Sequence, residues 1–155
     1  MKYQEYILGS MKQQVADFFK AVKKVPTDKL EWKPLDAGRS VLDQAQEVAM
    51  SFTWSADMLQ GKVSFSEEAF AEDKAVMSAW TTIEECEKQA EERLTAWQTL
   101  VSSYPDEKLK ETIWLPYDGG RDFTMTEVME YPRWNAGYHE GQVNYIQVLY
   151  GDTSM

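Results

Sequence analysis

Three times this chain sets a hydroxyl residue three positions ahead of an acid and then runs apolar residues at spacings of three and four. The pairs are Ser40 with Asp43, Thr81 with Glu84, and Thr124 with Glu127. Such a pair starts a helix: the hydroxyl accepts from an orphaned N–H of the first turn, and the acid reaches back to the cap residue. A further helix is marked by periodicity alone. Ile7, Met11, Val15, Phe18, Val22 and Val25 form one stripe from Gln4 to Lys24, and Pro26 and Thr27 stop it. The spacing therefore predicts helices over 4–24, 40–60, 81–103 and 124–150, with Gly61 and Gly151 ending the second and the last.

The segments between them are punctuated rather than periodic. Residues 28–39 carry Leu30, Trp32, Pro34 and Leu35 among charges, which suits a connector draped over a bundle and pinned by Trp32. Residues 62–79 read as a loop with one short helix. Residues 109–123 hold Thr112-Ile113-Trp114 and Asp122-Phe123 around Asp118-Gly119-Gly120, a β-hairpin or an extended loop. Pro132 should kink or break the last helix near Glu130. Gly137 and Gly141 leave room for another helix or a ligand. The expectation is one all-α domain over residues 1–155, an up-and-down or crossover four-helix bundle with that hairpin or loop before the last helix.

His139 is the only histidine. On a helix of about 100° per residue, Val128, Val143, Ile146 and Tyr150 lie within about 40° of it, so it occupies the middle of the apolar stripe. Asn135 and Gln142 point the same way, whereas Arg133, Glu140, Asn144 and Gln147 fall on the wet side. Buried polar groups left unpaired cost roughly 1–3 kcal/mol each, so the three must find partners. Either they form a hydrogen-bonded core cluster, or they belong to a metal or proton-transfer site between helices.

The second helix offers a partner. Val41, Ala45, Val48, Ala49, Phe52, Ala56 and Leu59 make its core stripe, but Met50, Trp54 and Met58 make a second apolar arc with Glu47 in its middle. A carboxylate so flanked faces a pocket, a subunit interface or a buried partner. The third helix buries Ile83, Cys86, Ala90, Leu94, Trp97 and Val101, and its charges are the solvated side.

A formal charge of −10 with no basic block argues against nucleic-acid and anionic-membrane partners. A single cysteine, Cys86, excludes an internal disulfide and a cysteine-cluster zinc site, and its place on an apolar stripe suits an inert thiol. No window approaches the roughly 18 apolar residues of a membrane span, and residues 1–6 show no signal-peptide run. A cytoplasmic protein is expected.

The phrases Leu30-Glu-Trp-Lys-Pro-Leu, Arg39-Ser-Val-Leu-Asp-Gln-Ala-Gln-Glu-Val-Ala and Tyr138-His-Glu-Gly-Gln-Val-Asn-Tyr-Ile-Gln, with the closing Leu149-Tyr-Gly-Asp, resemble the DinB-like (YfiT-like) superfamily of bacterial four-helix proteins. The resemblance implies a site for a divalent metal held by three histidines, used in several members for thiol transfer from bacillithiol, mycothiol or glutathione. Carried over position by position, the three ligand sites fall on Glu47, Asn135 and His139. Only one is histidine, which implies that a site for zinc, nickel or manganese is lost or weakened. Three functions stay open: a small-ligand-binding or regulatory bundle with a degenerate metal site, a metal-dependent thiol transferase or hydrolase using Glu47 and His139, and a homodimeric interaction protein that pairs through the Met50, Trp54 and Met58 arc.

Overall fold

The computed structural model describes residues 2–153. Its bundle consists of α1 (Tyr3–Val22), α2 (Val41–Leu59), α4 (Ile83–Ser102) and α5 (Met125–Leu149), with a short α3 (Glu67–Ser78) between α2 and α4. An antiparallel hairpin, β1 (Thr112–Leu115) and β2 (Arg121–Thr124), precedes α5 with Thr112 opposite Thr124 and Leu115 opposite Arg121. Around the bundle the order is α1, α4, α2, α5: α2 packs on α4 and α5, and α1 packs on α5 and α4. The α1-to-α2 and α4-to-α5 connections therefore span the diagonal, which selects the crossover arrangement over the up-and-down one. Among the described residues no helix is long and apolar enough to cross a membrane.

The expected stripes form the core. Ile7, Met11, Phe18 and Val22 of α1, Val41, Val48 and Phe52 of α2, and Cys86, Ala90 and Trp97 of α4 are all buried, and Phe52 meets Trp97 edge-on at 6.0 Å. Burying such side chains is the main stabilising term, roughly 1.5–3 kcal/mol for each large one. Burial also pushes the Cys86 thiol up to about 12, so it stays protonated and inert. The connector is pinned as expected, with Trp32 edge-on to Tyr150 at 6.3 Å.

Four expectations need correction. Helix α4 starts one residue late: Thr82 caps it, because Glu85 can then accept from the N–H groups of both Thr81 and Thr82, at 2.8 and 3.1 Å. Ser40 does cap α2, accepting from the Asp43 N–H at 3.2 Å, but the Asp43 carboxylate turns to the Arg39 Nε at 2.6 Å instead of closing a box. Gln147 is buried rather than wet, because α5 is sandwiched between α1 and α2.

The fourth concerns Pro132: of the kink or break expected there, the break does not occur, and α5 runs through it. A proline has no N–H for the carbonyl four residues back, here that of Val128. That carbonyl accepts instead from the buried Ser55 hydroxyl of α2 at 2.9 Å, and the Trp97 indole N–H of α4 donates to the same hydroxyl at 2.9 Å. A three-helix relay thus replaces the missing backbone bond, and the helix continues to His139.

Candidate functional site

Two helices and one turn build the site. Helix α5 presents Asn135, His139 and Gln142 at one-turn spacings, and α2 presents Gln44 and Glu47, three apart and so on one face. Arg39 comes from the connector. Its approach is set by the turn at residues 34–38, closed by the Gly38 N–H on the Pro34 carbonyl at 2.8 Å. A Cβ at Gly38 would stand 2.7 Å from the Pro34 oxygen, so only glycine fits there.

The three carried-over positions do converge. Glu47 Oε1 accepts from Asn135 Nδ2 at 2.8 Å and faces His139 Nε2 at 3.1 Å. His139 is 1% exposed and Asn135 2%, whereas the Glu47 side chain keeps 22% of its surface open. On the other side of the ring, His139 Nδ1 faces Gln142 Oε1 at 2.8 Å and Gln44 Oε1 at 3.2 Å. Glu47 Oε2 accepts from Arg39 Nη1, and Arg39 Nε donates to Asp43. Burial alone would raise the Glu47 carboxyl, but the hydrogen bonds from His139 and Asn135 and the Arg39 charge outweigh it and hold it down at about 2.

Donors and acceptors do not balance here. An amide oxygen and a carboxylate can only accept, so both ring nitrogens of His139 face acceptors while a neutral ring has one N–H. The Asn135 Oδ1 is buried with no partner at all. The cluster is short of positive or donating groups.

Aromatic side chains rim it. Burial and then the nearby Glu47 charge raise the hydroxyl pKa of both Tyr131 on α5 and Tyr117 at the hairpin tip. Tyr131 stacks on Trp134 at 6.4 Å and Trp134 on Tyr138 at 5.3 Å, with the last two exposed. Of the two glycines expected to leave room, a Cβ at Gly137 would stand 3.5 Å from the Gln14 side chain of α1, an ordinary contact, and one at Gly141 would meet open space. Clefts of about 450 and 200 Å³ lie elsewhere, against residues 2–8 with 102–107 and between α1 and α5 at Lys20 and Glu140. The second apolar arc of α2 is used within the chain: Met50 and Met58 are buried, and the Trp54 indole donates to Asp73 of α3 at 2.7 Å.

The fold that carries this site is shared with known structures. YfiT from Bacillus subtilis, described as a probable metal-dependent hydrolase with an unusual four-helix bundle topology, superimposes with a TM-score of 0.76 at 17% identity, over 96% of this chain and 87% of that one. The chain has the YfiT fold. A conserved protein from Enterococcus faecalis gives a TM-score of 0.66 at 14% identity, over 98% of this chain and 99% of that one. No protein-family model matches the sequence, and no curated protein sequence does. A shared fold at such identity does not carry over chemistry, which has to be argued from the site.

On that ground a tightly held divalent metal does not fit the YfiT-fold site as it stands. Among the described residues no group of three His, Cys, Asp or Glu could hold one. The strong ligands are His139 Nε2 and Glu47, and both are engaged, with each other and with Arg39. Asn135 offers its NH2 to Glu47, and amide nitrogen is no ligand. Arg39 and Gln44 were not singled out in the sequence, although Arg39, Asp43 and Glu47 fall four apart and Gln44 and Glu47 three apart.

Proposed function

We propose that this protein is a small-ligand-binding bundle of the YfiT fold that works without a tightly held metal. The observation that carries the reading is the closed set Arg39, Glu47, His139 and Asn135, in which a guanidinium supplies the positive charge that a metal would otherwise supply. The unpartnered Asn135 oxygen and the partly open Glu47 carboxylate call for a ligand that donates hydrogen bonds, and Tyr117 and Tyr131 give it apolar walls beside Glu47. A screen of melting temperature against small amines, amides and polyols tests this. At least one compound should raise the melting temperature of the wild type and not of Asn135→Leu; a panel with no effect on the wild type, or an equal effect on both, contradicts it.

The competing reading is a metal-dependent hydrolase, which is what the YfiT description suggests for that protein. It is favoured by the convergence of His139 Nε2 and Asn135 on one oxygen of Glu47. It requires Arg39 to leave. It also requires a proton acceptor other than Glu47, because a carboxyl held near 2 is a weak base at neutral pH.

A further inference from the structure

We propose that the exposed face of α5 pairs with the same face of a second copy of this chain, the two helices antiparallel, with Tyr138 of each copy seated over Gly141 of the other. Tyr131, Trp134, Tyr138, Gly141, Tyr145 and Val148 follow one another at alternating spacings of three and four. That alternation is the seam of a coiled coil. Helix α5 already buries a different stripe, Val128, His139, Val143 and Ile146, against its neighbours in the bundle. At about 100° per residue the seam lies on the other side of the helix. There Trp134 is 59% exposed, Tyr138 51%, Tyr145 64% and Val148 37%. Large apolar side chains aligned on one open face mark an interaction site.

Gly141 says what covers it. Glycine in a helix interior is unfavourable, and nothing within the chain requires it here, since a Cβ would meet no atom within 4 Å. The seam before it is a pile of rings, Tyr131 on Trp134 at 6.4 Å and Trp134 on Tyr138 at 5.3 Å. The pile stops at Gly141, which leaves a hole one turn from the last ring. An antiparallel copy fits ring to hole. In a single register Tyr138 faces Gly141, Trp134 faces Tyr145 and Tyr131 faces Val148, every pair centred between His139 and Glu140 and made twice about a two-fold axis.

Charge and area favour the same occupant. With a formal charge of −10, two copies repel one another over most of their surface. From Tyr131 to Leu149 the charged residues of α5 are Arg133 and Glu140, and Glu140 is turned to Gln14 of α1 at 2.6 Å. The seam therefore lets two acidic molecules touch without setting acid against acid. Its four exposed side chains present on the order of 400 Å² per chain, or about 800 Å² over two copies. Flanking residues such as the half-exposed Leu149 bring this toward the roughly 1,200 Å² of the smaller specific interfaces, which suits a dimer of micromolar affinity.

The test is sedimentation equilibrium of tag-free protein over roughly 1 μM to 1 mM. The wild type should pass from monomer to dimer as concentration rises. Gly141→Phe fills the hole, in space that is open within the monomer, and should weaken the dimer at least about tenfold although it adds apolar surface. Tyr138→Ala combined with Gly141→Tyr exchanges ring and hole and should restore the dimer. Tyr145→Glu sets two acids into the seam and should leave a monomer; it decides the matter should Gly141→Phe not fold, which helicity by circular dichroism checks for each variant. A wild type that stays monomeric throughout overturns the inference, and its sedimentation with phosphatidylcholine vesicles would assign the face to a lipid surface instead. A Gly141→Phe dimer as tight as the wild type, a Tyr145→Glu dimer, or a folded exchange variant that stays monomeric overturns it as well.

Discussion

Glu47 is the residue whose state decides what this site can do. It is ionised at any physiological pH because His139, Asn135 and Arg39 all stabilise its charge against the cost of burial. Its folded-state pKa of about 2 lies below the ordinary 4.5, so its contribution is complete above pH 4.5 and is lost as pH falls from there toward 2. With the side chain partly open, that contribution is on the order of 2 kcal/mol. Glu47→Gln should therefore flatten the acid limb of stability between pH 4.5 and 2, read by urea unfolding across that range; a limb as steep as that of the wild type contradicts the cluster. His139 and Glu47 were visible in the sequence as polar residues centred on apolar arcs. Arg39 was not, because it lies ahead of its helix, where periodicity says nothing, and it reaches Glu47 through the Pro34–Gly38 turn.

At the scale of the element, α5 shows why a local rule can be correct and the helix still not break. Pro132 does remove a backbone donor, yet Ser55 on another helix replaces it, and Trp97 on a third fixes the hydroxyl. Ser55→Ala should cost about 1–3 kcal/mol by orphaning the Val128 carbonyl and the Trp97 indole. The cost should shrink in a Pro132→Ala background, where residue 132 regains an N–H for that carbonyl. A double-mutant cycle by urea unfolding measures the difference, and strictly additive losses contradict the relay. The other misplacement, the Thr81 start that moved to Thr82, has a simpler origin. Two adjacent threonines can both cap, and only the reach of Glu85 to both N–H groups decides between them.

At the scale of the molecule, helix number, helix stripes and the hairpin were legible because each rests on local signals that burial repeats: caps, spacings of three and four, and a Gly-Gly turn. The order of helices around the bundle was not, since α1 and α2 carry the same amphipathic pattern whether they are neighbours or diagonal. The crossover order matters for function, because it seats α2 beside α5 and so brings Glu47 to His139 and Asn135. Met50 and Met58, which the sequence alone offered with Trp54 as a dimer face, are buried within the chain. The most direct measurement is metal content by mass spectrometry on tag-free protein, wild type beside His139→Ala, after dialysis against zinc, nickel and manganese in turn. Far less than one metal per chain in both is the result expected of a site whose carboxylate already holds a guanidinium. Close to one per chain in the wild type and none in the variant would contradict it.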